Sequence, residues 1–242
     1  MNPPPSDTDT VDTPFTRLLS RLACQAPDWP VFNEGYQQTL HSVQEGGRFA
    51  FQGMTLDAPA GVYPPKPGSS TEFVVTHWES AGLLEARGAL LEVGTGSGAL
   101  ALYAARHGWQ VMAGDIDALA VDTARNNARA NGISLEVFQT DLFSAVQGLK
   151  FDAILFNFPL YHKDTVTWGE HTLSDANGAL SQRFFDEAKS HLNADGCVVF
   201  VYANCSRGDL LDRSDWQFEI VGCDYFAIGR YWRALVKARP RP

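Results

Sequence analysis

The segment LLEVGTGSGAL, residues 90–100, is the most informative part of this sequence for its fold. An apolar run ends just before Gly94, Gly96 and Gly98, and a run with helical spacing follows. Glycine is needed where the backbone turns sharply or lies against a ligand, and a helix start offers free amide donors. The stretch therefore predicts a buried strand, a ligand-binding turn and a helix. Because the spacing also fits the G-x-G-x-x-G/A fingerprint, it does not by itself identify the ligand.

Short apolar runs alternate with helical patterns from Gly88 onward. Such alternation is typical of a parallel sheet that helices cover on both faces. Ligands bind these sheets at the carboxyl ends of the strands, so the loops after residues 93, 114, 139 and 156 are predicted to form a site. The predicted strands are 88–93, 109–114, 134–139, 151–156, 196–202, 216–222 and 229–238, and the predicted helices are 98–107, 117–131 and 177–192.

Carboxylates occupy three of these loops. Glu92 ends the first strand, Asp115 and Asp117 follow the second, and Asp141 follows the third. A carboxylate after the second strand can bind a ribose diol through two hydrogen bonds. So many carboxylates disfavour a pyrophosphate and favour a ligand that has an adenosine, a cationic centre and no phosphate. Asp117 fits a helix N-cap equally well.

From about Gly61 to the C-terminus, the chain resembles the class I S-adenosylmethionine-dependent methyltransferases, because several motifs follow one another in the same order. The chain is most similar to the subgroup of HemK/PrmC-type protein-glutamine methyltransferases and small-domain RNA guanine-N2 methyltransferases. The matching pieces are GVYPPKPGSSTEF (61–73), LLEVGTGSGAL (90–100), AGDIDALAVDTARNNARANG (113–132), QTDLF (139–143), FDAILFNFPLY (151–161) and GALSQRFFDEAKSHLNADG (178–196).

The resemblance implies a Rossmann-like α/β fold, a seven-stranded doubly wound sheet with a small N-terminal helical and hairpin cap. It also implies an enzyme whose cofactor is S-adenosyl-L-methionine and whose product is S-adenosyl-L-homocysteine. By the same resemblance the cofactor-binding residues are Glu92, Gly94, Thr95, Gly96, Gly98, Asp115, Ile116, Asp141, Leu142 and Asn157.

The loop after the fourth strand holds the acceptor nitrogen in this family and reads Asn-Pro-Pro followed by an aromatic residue. The Asn side-chain oxygen and the next carbonyl accept the two N–H bonds of an amide or amine, so catalysis is mostly positioning. An aromatic at the fourth place stacks on the planar acceptor. Asn157 fits the first of these roles.

The chain departs from this pattern at two positions. Phe158 replaces the first proline, which removes a fixed φ and makes the loop less rigid. Leu160 replaces the aromatic residue, and Tyr161 lies one residue late. We interpret the loop as a retuned acceptor site, in which packing of the pocket wall is the competing explanation for Phe158 and Tyr161. The predicted catalytic residues are Asn157, Phe158, Pro159 and Tyr161, and the predicted substrate-binding residues are Tyr161, His162 and Trp168. Whether His162 or His171 acts as a base stays open.

The composition bears on the acceptor. The chain has 242 residues and a formal net charge of −9, which repels nucleic acid unless a local basic patch compensates. Together with the altered loop, this charge favours N-methylation of a small-molecule substrate, with oxygen as a possible methyl acceptor. Protein glutamine or RNA is the alternative acceptor. A nicotinamide-dependent oxidoreductase and a non-catalytic cofactor-binding protein are the alternatives from other classes.

The N-terminal sequence MNPPPSDTDTVDTP is polar and rich in proline. We predict a disordered lead-in over 1–13, a helical and hairpin cap over 14–65, and a methyltransferase domain over 66–242. The aromatics of WPVFNEGYQQ, residues 29–38, either form a lid on the cleft or pack in the core. The four cysteines are scattered along the sequence. Their spacing argues against a metal site and suits a cytoplasmic protein. No apolar run is long enough for a membrane span, and the oligomeric state stays open.

Overall fold

The computed structural model describes residues 29–84, 88–161, 164, 167–206, 209–226 and 230–241, apart from the side chains of residues 29–32, 168 and 169. In chain order the helices and strands are α1 (Trp29–Glu45), β1 (Gly47–Phe51), β2 (Met54–Ala58), α2 (Ser70–Thr76), β3 (Ala89–Val93), α3 (Ala99–Arg106), β4 (Gln110–Asp115), α4 (Ala118–Ala130), β5 (Glu136–Gln139), β6 (Phe151–Phe156), α5 (Trp168–His171), α6 (Ala179–Ala188), β7 (Leu192–Ala203), β8 (Trp216–Phe226) and β9 (Tyr231–Pro240).

Seven strands form one sheet in the order β5-β4-β3-β6-β7-β9-β8. The five strands from β3 to β7 pair in parallel, and β9 runs antiparallel between β7 and β8. The carboxyl ends of the parallel strands therefore meet at one edge. The predicted α/β fold with a seven-stranded sheet is confirmed.

The sheet is buried on both faces because its central strands are apolar at successive positions. One face carries a cluster of phenylalanines that includes Phe143, Phe184 and Phe185. The opposite face packs against α2 and α3 through residues such as Phe73 and Leu100. Continuous apolar runs of this kind are what a parallel sheet covered on both sides requires.

The β1–β2 hairpin forms a separate two-stranded sheet with an antiparallel register. The side chains of β2 alternate between buried and exposed positions, so that Met54 and Leu56 are buried while Asp57 is exposed. Helix α1 packs through Tyr36, Leu40 and Val43 against the segment that follows β6. Helix α1 thus lies beside the carboxyl edge of the large sheet, whereas the turn of the hairpin accepts a hydrogen bond from Arg106 at the end of α3.

Most predicted elements are present, with different ends. Strand β6 has the predicted bounds, whereas β7 begins four residues earlier than predicted and α6 is shorter because a 3-10 turn lies at each end. The predicted lead-in over 1–13, and any helix before residue 29, lie outside the described residues. Within the described part, no helix is both long and apolar enough to cross a bilayer.

Candidate active site

The loops at the carboxyl edge line a cavity of about 660 Å³. The cavity extends from the glycine turn after β3 to the loop after β6 and to the β8–β9 hairpin. Of the predicted site residues, the structure brings into its lining Glu92, Gly94, Thr95, Gly96, Asp115, Ile116, Asp141, Leu142, Asn157, Phe158, Pro159 and Tyr161. The remaining predicted glycine, Gly98, lies behind this lining and begins α3.

The glycine turn needs its glycines for conformation and for space. Gly94, Gly96 and Gly98 have φ angles of +65°, +54° and +80°, a left-handed region that side chains rarely adopt. A Cβ atom on Gly94 would lie 2.8 Å from the ring of Phe156, and one on Gly98 would lie 3.0 Å from the Cβ of Ala124. The backbone can therefore approach both the sheet and the cavity closely.

Glu92 supports the turn from below. Its Oε2 accepts hydrogen bonds from the Thr95 hydroxyl at 2.6 Å and from the Ala101 amide at 2.9 Å. Burial raises the pKa of the Glu92 carboxyl to about 8, although both hydrogen bonds favour the charged form. The carboxyl thus links the glycine turn to the first turn of α3.

Asp115 lies at the end of β4, opposite the turn. One carboxylate oxygen accepts the Gly96 amide at 2.8 Å and the other accepts the Asp117 amide at 3.0 Å. A carboxylate has about four acceptor sites, so these bonds leave it able to accept from a ligand hydroxyl. Burial raises the pKa of the Asp115 carboxyl. Asp117 is the N-cap of α4, because its side chain accepts the Leu119 amide at 3.0 Å.

The next part of the lining combines an exposed apolar residue with a carboxylate. Ile116 is 56% exposed, so its side chain offers an apolar surface to a flat ligand. Asp141 accepts a hydrogen bond at 2.9 Å from the Arg183 guanidinium on α6. Leu142 is buried and has a φ of +48°, which turns the chain sharply after Asp141. Carboxylate and apolar surface therefore lie side by side in the lining, which suits a flat base that carries an amino group.

Asn157 directly follows β6 and carries an unsatisfied acceptor. Its Oδ1 is buried and has no hydrogen-bond partner among the described residues. Its Nδ2 donates a long hydrogen bond of 3.5 Å to the Thr71 hydroxyl on α2. Because a buried acceptor without a partner is costly, the atom is suited to a ligand that donates an N–H.

Phe158 does not present its ring as part of an acceptor clamp. The ring is 6% exposed and packs with the rings of Phe156, Phe184, Phe185 and Phe200, whose centroids lie 4.3–6.0 Å away. The substitution of the first proline is therefore explained by the core. Phe158 also lines the cavity, and its predicted catalytic role stays a prediction.

Tyr161 is held in place by backbone and ring contacts. Its amide donates to the Leu173 carbonyl and its carbonyl accepts the Asp175 amide, both at 2.9 Å. Its ring meets Tyr36 of α1 edge to face, with 4.6 Å between centroids. Burial raises the pKa of the Tyr161 hydroxyl. Helix α1 thus braces the acceptor loop through one of the three aromatics of residues 29–38, and the side chains of the other two lie outside the described part.

Residues that the sequence analysis does not assign to the site also line the cavity near the acceptor loop. Tyr63, Phe226, Tyr231 and Arg233 all line the cavity. The Arg233 guanidinium is 7% exposed and donates to the Asp224 carboxylate at 2.9 and 3.1 Å. Its third bond, of 2.8 Å, reaches the carbonyl of residue 68. No local motif identifies these residues, since they come from opposite ends of the chain.

The histidines and tryptophan predicted to follow the acceptor loop have different outcomes. His171 ends α5 and lines the cavity. Trp168 begins α5, but its side chain lies outside the described part. His162 lies outside the described residues altogether. The predicted substrate contacts of His162 and Trp168 therefore stay predictions.

The arrangement fits a ligand with a cationic centre and an adenosine. The backbone of the glycine turn is open to the cavity at Gly96, where an added Cβ atom would find its nearest neighbour, Val62, at 4.0 Å. Carboxylates lie at the glycine turn, at the end of β4 and after β5. No phosphate-binding basic side chain lies at this turn among the lining residues that the structure describes.

A comparison with protein families agrees with this chemistry. The family model of the methyltransferase small domain matches residues 53–209, well over half of the chain. The chain belongs to the methyltransferase small-domain family. The predicted family, the enzyme class and the cofactor S-adenosylmethionine are thereby confirmed. A nicotinamide-dependent oxidoreductase is excluded by the same match.

Several curated methyltransferases are similar to this family member. The ribosomal RNA small subunit methyltransferase C of Chromohalobacter salexigens is 32% identical over 155 residues, which are 64% of this chain and 43% of that protein. The release factor glutamine methyltransferase of Streptococcus pneumoniae is 30% identical over 167 residues, 63% of this chain and 58% of that protein. The chain thus spans about half the length of the curated relatives it matches.

A solved structure shows the same fold. The T. thermophilus 16S rRNA N2 methyltransferase, in complex with AdoMet and guanosine, superposes with a TM-score of 0.64 and 21% identity. The match covers 81% of this chain and 50% of that chain. Half of the T. thermophilus chain therefore lies outside the part that superposes on this chain.

The prediction of a small-molecule acceptor is wrong. The similar methyltransferases are named for ribosomal RNA and for a release factor, which are macromolecules. The error has two physical causes. A net charge of −9 describes the whole chain and not the rim of one cavity. Phe158, interpreted as a change in acceptor shape, is a core residue.

Proposed function

We propose that this chain is an S-adenosylmethionine-dependent N-methyltransferase whose acceptor is a guanine amino group in RNA. The observation that carries the proposal is the buried Oδ1 of Asn157, which has no partner among the described residues and lies beside the cavity. An exocyclic amine or amide offers the N–H that this oxygen lacks. The named ribosomal RNA relatives support the choice of acceptor.

The cofactor is proposed to occupy the half of the cavity between the glycine turn and Asp141. Asp115 would accept the ribose hydroxyls, Ile116 would pack on the adenine, and Asp141 would accept the adenine amino group. When bound, S-adenosylmethionine would supply a methyl group carried on a cationic sulfur. The acceptor nitrogen would take this methyl group and lose one proton to water, and S-adenosylhomocysteine would be the other product.

The chain's own contribution is to orient the acceptor. Asn157 would accept one N–H of the amine, and the main-chain carbonyl of Phe158 is available for the second. Fixing both N–H bonds directs the nitrogen lone pair and excludes other geometries, which is the usual origin of rate in a reaction without a covalent intermediate.

Aromatic rings favour a purine at the other half of the cavity. Tyr63, Tyr231 and Phe226 line this end, and the rings of Phe226 and Tyr231 stack with 5.5 Å between centroids. Proteins that read single-stranded RNA stack its bases on aromatic side chains. Lys66, whose ammonium donates to the Ser42 hydroxyl at 2.6 Å, adds positive charge to the lining, and the exposed Arg230 directly precedes Tyr231 in the sequence.

A second candidate acceptor is a protein glutamine. The net charge of −9 is unfavourable for RNA and neutral toward many proteins, and one named relative acts on a release factor. The side-chain amide would use the same Asn157 clamp. The two acceptors differ in what they need from the aromatic rings, since a glutamine amide has no purine to stack.

The test uses labelled methyl transfer to bacterial ribosomal RNA, ribosomal subunits and release factors. Incorporation into RNA as N2-methylguanosine is expected, and label recovered as methylglutamine would select the second candidate. Label in neither would refute the proposed function.

Asn157→Ala tests the clamp. We expect kcat to fall by about 10²–10³-fold, the loss typical of one preorganised hydrogen bond, while the affinity for S-adenosylhomocysteine changes little. Asn126→Ala on the exposed face of α4 is the matched control. Unchanged turnover in Asn157→Ala would contradict the clamp.

The division into a cap over 14–65 and a catalytic domain over 66–242 is also a proposal. Its support is that α1 and the β1–β2 hairpin lie outside the large sheet, and that Gly35 of α1 and Gly61, which follows the hairpin, line the cavity.

A further inference from the structure

Two asparagines of α4 and its C-terminal end close the outer edge of the β1–β2 hairpin. In an antiparallel pair, the N–H and C=O groups of alternate residues point away from the partner strand. Asn131 bonds the Thr55 carbonyl at 2.9 Å and the Thr55 amide at 3.3 Å. Asn127 bonds the Asp57 carbonyl at 2.8 Å and the Asp57 amide at 2.9 Å. The two side-chain amides thus take the place of a third strand.

Asn127 makes one more contact, which Asn131 does not share. Its Nδ2 also donates to the Ser97 carbonyl at 2.8 Å, inside the glycine turn. Asn127 is 2% exposed, so bulk water does not compete for these bonds. One turn earlier on α4, the side chain of Ala124 occupies the space that a Cβ atom on residue 98 would need, which explains the glycine at that position. The same face of α4 therefore holds the glycine turn at two successive points.

The hairpin is followed after a short segment by Val62 and Tyr63, which we call the cover of the glycine turn. After β2, the chain places Val62 in a buried cluster with Ala58 and Ala120, above Gly96. The next residue, Tyr63, lines the acceptor end of the cavity. The position of this cover depends on the position of Asp57, because only a short segment separates the two.

We infer that Asn127 is a positioning residue that couples the hairpin to the glycine turn and so presets the cofactor pocket. One amide fixes Asp57 on the covering side and Ser97 on the binding side, so the two walls of the pocket keep a constant separation. The inference rests on the proposed function only in that the cavity is taken to hold S-adenosylmethionine.

The experiment compares Asn127→Ala with Asn131→Ala. Both variants lose two hydrogen bonds to β2 and one further bond of 2.8 Å. In Asn127→Ala that further bond is the one to the Ser97 carbonyl of the glycine turn, whereas in Asn131→Ala it is the one to the Asn127 carbonyl within α4. Calorimetric titration with S-adenosylhomocysteine is expected to give a Kd about tenfold higher for Asn127→Ala and within about threefold of wild type for Asn131→Ala. Hydrogen exchange of the ligand-free proteins is expected to accelerate over 94–98 in Asn127→Ala alone.

Kinetics separate positioning from general loss of structure. In Asn127→Ala the KM for S-adenosylmethionine is expected to rise by a larger factor than the KM for the acceptor, while kcat stays close to wild type. If the two alanine variants raise Kd equally, or if Asn127→Ala leaves both Kd and exchange unchanged, the inference is overturned. If Asn127→Ala does not fold, Asn127→Ser, which keeps a polar group in the site, is measured in the same way and judged by the same outcomes.

Failure of the proposed function gives a different result. Wild-type protein that does not bind S-adenosylhomocysteine would refute the cofactor site, whereas the exchange of 94–98 in the ligand-free variants would still decide whether Asn127 couples the hairpin to the turn.

Discussion

Removal of the Phe158 ring should destabilise the fold by the amount expected for a core residue. The ring is 6% exposed and meets four other phenylalanine rings. Truncation of a buried phenylalanine to alanine costs about 3–5 kcal/mol, and 1 kcal/mol shifts Tm by about 2–4 °C in a chain of this size. For Phe158→Ala we therefore expect a fall in Tm of roughly 6–20 °C.

Urea unfolding followed by tryptophan fluorescence gives the free energy directly. Phe226→Ala is the matched control for stability, because that ring is 42% exposed and its loss is expected to cost less than about 1 kcal/mol. A loss below about 1 kcal/mol in Phe158→Ala would refute the assignment of the ring to the core.

The conservative variant Phe158→Leu tests whether the ring also touches the acceptor. Leucine keeps much of the buried volume, so the expected cost is less than about 1.5 kcal/mol. If the ring only packs, turnover should stay within about threefold of wild type. A stable Phe158→Leu protein with no turnover would show that the ring takes part in catalysis, contrary to its packing in the core.

Two further variants test the glycine turn and its support. Burial raises the pKa of Glu92 to about 8 in the folded protein, against 4.5 in the unfolded chain. Between these two pH values the folded state therefore binds more protons than the unfolded state. The free energy of unfolding should fall as the pH rises from about 4.5 to 8, by up to about 1.4 kcal/mol per pH unit. Urea titrations at several pH values should show this slope reduced in Glu92→Gln, and an unchanged slope would contradict the assignment. Gly98→Ala should cost about 1–2 kcal/mol for its φ of +80° and more for the contact with Ala124, whereas Gly132→Ala, with a φ of +67° and no atom within 4 Å of the added Cβ, should show the backbone cost alone. Equal losses of unfolding free energy in the two glycine variants would show that the contact with Ala124 is relieved without cost.

The sequence was sufficient to predict which loops come together at the cavity. The glycine turn, Asp115 and Asn157 each follow a strand whose apolar run is visible, and the sheet topology then brings the loops together. Local patterns place such residues because strand ends and their loops are adjacent in sequence.

Long-range contacts were not predictable in this way. Phe158 was interpreted from a loop pattern, yet its role depends on rings from β6, α6 and β7. Arg233 lies more than 160 residues from the carbonyl it binds at residue 68. Asn127 gave no local signal, because an asparagine late in a helix is compatible with many surroundings. The acceptor was misjudged for the same reason, since a net charge does not locate charges.

The asparagine pair, Asn127 and Asn131, also has a consequence for solubility. A free strand edge presents a row of unpaired amides and carbonyls that can recruit another chain, and a two-stranded hairpin is marginally stable by itself. Here the edge of β2 is occupied at Thr55 and Asp57 by side chains that cannot extend into a further strand. The pair thus prevents a strand of another chain from pairing with β2. A variant that lacks both side-chain amides is expected to aggregate through β2 before its large sheet unfolds.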